Sequence, residues 1–368
     1  MSGTTGTTGT AAAAADQVEA AGTAHRISRR TPESTGGLVG FGLVTLALAT
    51  LPWWDSEGAL QTTLVTILIY LALAQMWNLL AGFAGLISIG QQMFVGVGVY
   101  SLLTIAEDWG VDPYLTVLLA GLVAAALSVP VALFAFRLSG GYFAIGTWVI
   151  AEVVRLLVVE SDSLAGGDVR SLTRASLGGY SRDARDDITY WLALALAVGA
   201  TAIVVLALRS RLGLALRAVR DSEQGARGLG VDVTRTRLVV WVVAAFWTGA
   251  TGAVVLLSSP SARADSAFSV LRWTALVIFI AVIGGVGSTT GPIIGVLVFW
   301  AIDEQLADAE TWRFIVLGAV AAVLAIVAPR GIYGLVQRWR PLQFFPVRRR
   351  LVGRGVGEPR GGGEVRGP

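Results

Sequence analysis

The feature that most constrains this chain is a recurring uninterrupted apolar run of about 20 residues, the length an α-helix needs to cross a hydrocarbon core of roughly 30 Å. A soluble fold would interrupt such runs with a polar face. Ten candidate spans occur, at 38–54, 60–80, 86–106, 113–136, 142–160, 188–208, 238–258, 270–287, 291–306 and 312–328. Hydrophobic residues make up 54% of the 368 and charged residues 14%, against roughly 45–50% and about 25% in soluble domains. The expected fold class is therefore all-α, a polytopic transmembrane helix bundle of about ten spans. The third and ninth runs are Gly-rich and also fit re-entrant or broken helices, and Pro130 and Pro292 fit kinks or helix starts of the kind membrane helices tolerate.

Charge sets the orientation. Arg26, Arg29 and Arg30 precede the first run, Arg137 follows the fourth, and Arg209, Arg211, Arg217, Arg220, Arg227, Arg235 and Arg237 fall between the sixth and seventh. With ten spans these clusters share one side, together with the Arg-rich end of the chain, while Glu107–Asp112 and Asp303–Glu310 share the other. Both termini are expected to be cytoplasmic, in a bacterial cell membrane. Residues 1–36 and 338–368 read as disordered cytoplasmic tails flanking a transmembrane domain over 37–337. The Arg26–Arg30 cluster also suits a signal peptide, but no small-residue cleavage site follows the first run, so an uncleaved helix is expected.

Several chemistries are missing from the composition. There is no Cys, and the lone His25 lies in the polar N-terminal tail, so neither a metal site nor a cofactor is expected. All 28 basic residues are Arg, which rules out the phosphate-binding Lys of a Gly-x-x-x-x-Gly-Lys-[Ser/Thr] loop. The balance of +3 is only mildly basic, and no nucleic-acid partner is expected. The acid–base constellations of a membrane enzyme are likewise missing.

Four segments carry functional signals. The connection from Arg209 to Arg237 is far longer than the roughly 2–8 residues usual between bundled helices. Within it Asp221 and Gln224 have capping-box spacing, Glu223 suits the first turn of a helix, Ala226 and Leu229 offer a small apolar face, and Gly228 or Gly230 can end the helix. Such a short helix fits a groove on a soluble partner; a solvated basic loop held by anionic membrane lipid is the alternative. In the third run Gly82, Gly85, Gly90, Gly96 and Gly98 allow close packing or an unwound backbone beside a polar path. Ser88, Gln91 and Gln92 place polar groups in that same stretch, where lipid would not satisfy them. Glu152 and Arg155 each cost about 2.5–3.5 kcal/mol alone at a helix centre. At i and i+3 they can pair, either as a structural link or as a lining for a zwitterionic solute. The loop Ser161–Asp187 alternates Asp and Arg and is too polar to enter the membrane.

Read together, several stretches resemble the permeases of branched-chain amino acid ABC transporters. They are Gly213–Asp232, Asn78–Tyr100, Leu138–Thr147 followed by Glu152 and Arg155, Gly284–Gly295 and Pro329–Leu335. The resemblance spans roughly residues 40–340 and fits the M-type permease better than the H-type. Gln91-Gln92-Met93 and the stretch Asp168–Arg174 depart from the pattern.

The resemblance implies a permease subunit of an ATP-driven importer for branched-chain amino acids or a similar small polar solute. Its partners would be ABC ATPase subunits, a second homologous permease and an extracytoplasmic solute-binding protein, the last facing the loop Ser161–Asp187. Arg217, Arg220, Asp221, Glu223, Ala226 and Gly230 would belong to the ATPase-coupling loop. Asn78, Ser88, Gln91, Gln92, Glu152 and Arg155 would line the translocation path. The alternative is an ion-coupled secondary transporter working alone, for which Glu152 is the one good candidate as a coupling site.

Overall fold

In hydrocarbon a backbone amide finds no water, so an apolar run satisfies its N–H and C=O groups internally and becomes a helix. The computed structural model describes residues 26–28, 32–53, 58–161, 164, 169–173, 179–306, 310–328, 331–339 and 350–352. The chain begins with strand β1 (Arg26–Ser28), α1 (Pro32–Ala49) and α2 (Ala59–Asn78), which runs on through a π-turn at Leu79–Phe83. Next come α3 (Gln91–Leu103), prolonged by a π-turn at Thr104–Asp108, α4 (Pro113–Ala135), α5 (Gly141–Val159) and strand β2 (Arg170–Ser171). The middle of the chain holds α6 (Arg182–Arg209), α7 (Arg211–Asp221), α8 (Glu223–Gly228), α9 (Val233–Ser258) and strand β3 (Ser261–Ala262). It closes with α10 (Ala264–Ala267), a π-turn at Leu271–Ala275, α11 (Leu276–Gly284), α12 (Gly291–Gln305), α13 (Glu310–Val327), α14 (Gly331–Trp339) and strand β4 (Arg350–Val352).

Among the described residues six helical stretches are long and apolar enough to cross a membrane: Ala59–Phe83, Pro113–Ala135, Gly141–Val159, Arg182–Arg209, Val233–Ser258 and Ala264–Gly284. The fold is thus the expected all-α membrane bundle, with six such helices where the sequence offered ten apolar runs. The other four runs take these forms. The first yields only a shorter apolar stretch, Val39–Trp53. The third is not helical over residues 84–90, so α3 begins at Gln91. The ninth forms a helix of 15 residues. The tenth forms α13, Glu310–Val327. Of the tails expected over 1–36 and 338–368, most lies outside the described residues. The described parts are β1, which pairs antiparallel with β4, the start of α1 and the end of α14.

Caps explain the clean helix starts. The Asp112 carboxylate accepts the Tyr114 and Leu115 N–H groups at 2.9 and 3.2 Å, with Pro113 at the first position of α4. The Ser181 hydroxyl accepts the Ala184 N–H, and so α6 starts six residues before the apolar run and absorbs part of the expected polar loop. Another part of that loop, β2, pairs with β3 (Arg170↔Ala262, Ser171↔Ser261).

The bundle has two ends that the helix directions define. α6 delivers α7 and α8 to one end, hereafter the α7/α8 end; the β2–β3 pair marks the other. At the centre α9 packs most extensively on α4 and α3, while α2 packs on α6 and α11 on α12. The close crossing of α3 and α9 requires glycine: a Cβ on Gly98 would collide with the Gly249 carbonyl, and one on Gly252 with the Val95 carbonyl. Trp241 of α9 fills the space beside this crossing, edge-on to Phe94, Phe136 and Phe143, with its indole N–H donated to the Ser128 carbonyl at 3.0 Å. Leu118, Leu122 and Leu133 of α4 and Ile145, Val149 and Val153 of α5 remain exposed, an apolar face of the kind a membrane covers.

Because the α3–α9 contact is backbone against backbone, Gly98→Ala is expected to destabilise the protein by about 1–3 kcal/mol. The change is read as a fall in the thermal midpoint in detergent. Gly42→Ala, with open space around it, should leave that midpoint unchanged.

Candidate functional site

Asn78, Ser88, Gln91 and Gln92 group around the last two turns of α2. Two non-helical segments, residues 84–90 and 285–290, lie against these turns and lead into α3 and α12. Each reversal uses glycine in the left-handed region, Gly85 at φ 72° and Gly287 at φ 78°, which other residues adopt only with strain. The first reversal is closed by the Leu86 N–H donating to the Leu80 carbonyl at 2.9 Å. In the second, the Ser288 hydroxyl donates to the Gly285 carbonyl and accepts the Gly291 N–H, at 2.8 and 2.9 Å.

An unwound backbone among apolar helices must find other partners for its amides, and α2 supplies them. The fully buried Asn78 grips segment 285–290 with both ends of its amide: Nδ2 donates to the Ser288 carbonyl at 2.9 Å and Oδ1 accepts the Gly287 N–H at 2.8 Å. One turn earlier, Gln75 Nε2 donates to the Thr289 carbonyl at 3.0 Å. Segment 84–90 is held by the Trp77 indole N–H donating to the Ser88 carbonyl at 2.9 Å. Its Ile89 N–H donates to the Thr147 hydroxyl of α5 at 3.1 Å, and its Gly90 N–H donates to the Ser88 hydroxyl at 3.1 Å.

The start of α3 extends this cluster. Gln91 Nε2 donates to the Leu73 carbonyl at 3.0 Å and to the Thr248 hydroxyl at 3.3 Å. The Thr274 hydroxyl donates to Gln92 Oε1 and accepts the Gln92 N–H. Asn78, Ser88, Gln91 and Gln92 are thus brought together in one buried polar cluster. Two acceptors there, Gln75 Oε1 and Gln91 Oε1, are buried without a hydrogen-bond partner, a condition costing about 1–3 kcal/mol each. The sequence reading passed over Gln75, Thr147 and Thr274. Gln75 was within reach, standing three residues before Asn78 on one face of an otherwise apolar helix; the two threonines carry no local signal.

Glu152 and Arg155 lie apart from this cluster. Arg155 clasps Glu152 Oε1 through Nε at 2.9 Å and NH2 at 2.6 Å, and reaches Asp265 of α10 at 3.0 Å. The Glu152 side chain is 44% exposed, and the trio ties α5 to α10 near the β2–β3 end. At that end Arg170 also bonds Asp108 at 2.6 Å and the Leu164 carbonyl at 3.1 Å. Beneath it lies a cavity of about 270 Å³ lined by Tyr100, Thr104, Trp109, Val158 and Leu164 among others.

At the opposite end the long connection folds as two helices, because Ser222 is extended and its hydroxyl caps α8 by accepting the Gly225 N–H at 3.1 Å. The capping-box reading from Asp221 is corrected by this: Asp221 ends α7 and pairs with Arg220 at 3.4 Å. Gly230, at φ 79°, makes the left-handed turn after α8. Arg217 is half-buried on α7. Ala226 is buried against Val219 and Val233, so it fastens the two helices to α9, whereas Leu229 is 81% exposed. The small apolar face expected from both residues therefore splits, with only Leu229 turned outward.

Glu223 pairs with Arg227 at 2.8 Å and with Arg237 at 3.1 Å. Burial pushes its carboxyl up, but the two guanidiniums outweigh this and hold it below its ordinary range. Arg220 turns inward, its NH1 donating to the Gly82 carbonyl at 2.8 Å. Among the described residues no cluster of three or more His, Cys, Asp or Glu could hold a metal ion.

A helix bundle with partly unwound, polar-lined segments in its interior and an amphipathic helix pair at one end has the build of a membrane transport subunit. Residues 59–327 match the family described as the branched-chain amino acid transport system / permease component, and the chain belongs to that family. It is a multi-pass protein of the bacterial inner membrane and a non-enzymatic transport component. It is 27% identical over 314 residues to the high-affinity branched-chain amino acid transport system permease protein LivM of Salmonella typhimurium, covering 79% of this chain and 73% of the relative. LivM of Escherichia coli matches with the same identity and coverage. The xylose transport system permease protein XylH of Escherichia coli is 28% identical over 122 residues, 31% of each chain. No solved structure matches the chain.

Two predictions follow from the geometry of the cluster and of the helix pair. Asn78→Ala strands the Gly287 N–H and the Ser288 carbonyl, so a loss of about 1–3 kcal/mol is expected, visible as a lower thermal midpoint in detergent. For Glu223, a depressed carboxyl stabilises the folded state above its unfolded pKa, and that contribution disappears as the pH falls through the lower, folded value. A nitroxide attached at Leu229→Cys should therefore gain mobility only below the usual carboxylate range. In a Glu223→Gln background that acid limb should be missing.

Proposed function

We propose that this chain is the membrane-spanning permease subunit of an ATP-driven importer whose solute is a branched-chain amino acid. The observation that carries the reading is the pair α7–α8: amphipathic, at the end of the bundle, fastened by buried Leu216, Val219 and Ala226, and presenting Leu229 to solvent. An exposed leucine among Arg, Asp and Glu side chains suits a hydrophobic groove on a soluble protein. With no Lys in the chain, phosphate chemistry of the Lys-dependent type belongs to such a partner, an ABC ATPase. The substrate assignment is supported by the family and by the LivM relatives, whose names specify branched-chain amino acids.

The remaining parts take their places in the same reading. The transmembrane domain covers 37–337, with ten crossings and both termini cytoplasmic, as the Arg distribution and the β1–β4 pairing support. The α7/α8 end is then cytoplasmic, with Arg217, Arg220, Asp221, Glu223, Ala226 and Gly230 in the coupling unit. The β2–β3 end, with the loop 161–187, faces the solute-binding protein. The path runs beside Asn78, Ser88, Gln91 and Gln92, where the unpaired Gln75 and Gln91 carbonyl oxygens can accept from the ammonium group of an amino acid. The exposed apolar faces of α4 and α5 meet lipid or the second permease. Glu152 and Arg155 hold the outer end of α5 in place at the margin of this path. Their mutual ion pair and the Asp265 contact leave the secondary-transport alternative without a dedicated coupling carboxylate.

Leu229→Asp and Glu223→Arg test the reading. Each should cut ATPase copurification at least tenfold and abolish uptake in cells, with the amount of chain in the membrane unchanged. Uptake by the purified chain alone, in liposomes without ATP and sensitive to an ionophore, would overturn it in favour of secondary transport.

A further inference from the structure

One side chain of the coupling unit, Arg220, hydrogen-bonds to the last turn of α2 beside the polar cluster. Arg220 lies at the end of α7, and its stem crosses Gly85, its Cγ within 3.5 Å of where a Cβ there would stand. Its guanidinium ends between the two non-helical segments: NH1 donates to the Gly82 carbonyl at 2.8 Å and lies 3.6 Å from where a Cβ on Gly287 would stand. Gly82 belongs to the last turn of α2, whose terminal carbonyls lack helical partners and carry the negative end of the helix dipole. Gly287 is the residue whose N–H Asn78 holds. Arg220 therefore stands where both segments meet the end of α2.

We infer that Arg220 is a positioning residue that transmits movement of α7–α8 to α2 and the two unwound segments, and does not itself bind the ATPase. The inference rests on the importer reading above. Its physical basis is a short, stiff connection. Val219, beside Arg220 on α7, is buried with Ala226 of α8 and Val233 of α9, so a push on α8 moves α7 with it. The Arg220 guanidinium then pulls on the Gly82 carbonyl, and through Asn78 the same displacement reaches Gly287 and Ser288. A charge-assisted bond to a carbonyl freed by the helix end is directional as well as strong. The neighbouring Asp221 partners the same guanidinium from the solvent side, which favours the inward rotamer.

The test uses the complete transporter in proteoliposomes: this chain with its second permease, ATPases and solute-binding protein. For Arg220→Gln the complex should copurify in full yield, while uptake per ATP hydrolysed falls at least tenfold. Arg220→Lys, whose single ammonium can still reach the Gly82 carbonyl, should recover a substantial part. Arg211→Gln, an exposed charge on the same helix, should behave as wild type.

A second readout separates transmission from folding. The chain lacks cysteine, so Val286→Cys, exposed between Gly285 and Gly287, can be labelled singly. Its labelling should change with ATP in the parent protein and stay constant in Arg220→Gln. Wild-type uptake per ATP in Arg220→Gln would overturn the inference, and so would loss of the ATPase from that complex, which would make Arg220 a partner contact while leaving the importer reading intact. Failure of the parent chain to recover any ATPase would instead remove the importer reading on which the inference stands.

Discussion

The structure depends on one constraint, the need to satisfy backbone amides where a helix is interrupted inside an apolar bundle. Residues 84–90 and 285–290 leave helical geometry among buried side chains, and each unpaired amide there would cost several kcal/mol in lipid-like surroundings. α2 meets this need by carrying Gln75, Trp77 and Asn78 along its last turns, with Ser88, Thr147 and Thr274 completing the set. Removing any of these side chains would strand a backbone group, on a different element in every case but Ser88, whose partner Gly90 lies in its own segment. The helix is therefore the common support of both unwound segments, and so of the starts of α3 and α12.

Glycine has a different task in each region. At Gly98 and Gly252 the missing Cβ lets α3 and α9 touch backbone to backbone, and at Gly249 it makes room for Ala124 of α4, which fixes the centre. At Gly85 and Gly287 the missing Cβ permits a left-handed turn, which creates the reversals. Gly331 does both: at φ 66° it starts α14 in space that a side chain would contest with the Gly284 and Gly285 backbone. A mutation to alanine is thus a packing perturbation in the first group and a backbone perturbation in the second.

The long apolar helices were legible because length and hydropathy determine them almost alone. The run at 60–80 emerges as Ala59–Phe83, and 238–258 lies within Val233–Ser258. What was not legible has physical causes. A Gly-rich apolar stretch has the same composition whether helical or extended, so the third run did not disclose that α3 starts at Gln91. The β2–β3 pairing joins residues about 90 apart, beyond any local pattern. Ser222 displaced Asp221 as the cap because its extended backbone brings a hydroxyl to the Gly225 N–H; both residue types favour the role equally. Ala226 and Leu229, three apart, were read as one face, but the chain leaves α8 between them, and only tertiary contact decides which is buried. Ser88, Gln91 and Gln92 are legible as polar exceptions in apolar sequence and Asn78 through the family resemblance, yet their arrangement around α2 required the fold.

The distribution of ion pairs separates parts that hold from parts free to shift. At the β2–β3 end, Arg155 joins α5 to α10 and Arg170 of β2 joins Leu164 to the π-turn after α3, so several elements are linked there. Inside, the unwound segments are held by neutral hydrogen bonds, each contributing roughly 0.5–1.5 kcal/mol net. Hinges are a few residues at the ends of elements that absorb a change of backbone angle, and the two breaks in helical backbone that offer them here border the polar cluster. Arg220 is the charged group that reaches them from the α7/α8 end. On the importer reading, force delivered at α8 meets compliant backbone at Gly82 and Gly287 before it meets the charge-linked far end, so the inner side of the path would open or close while the outer side holds its shape.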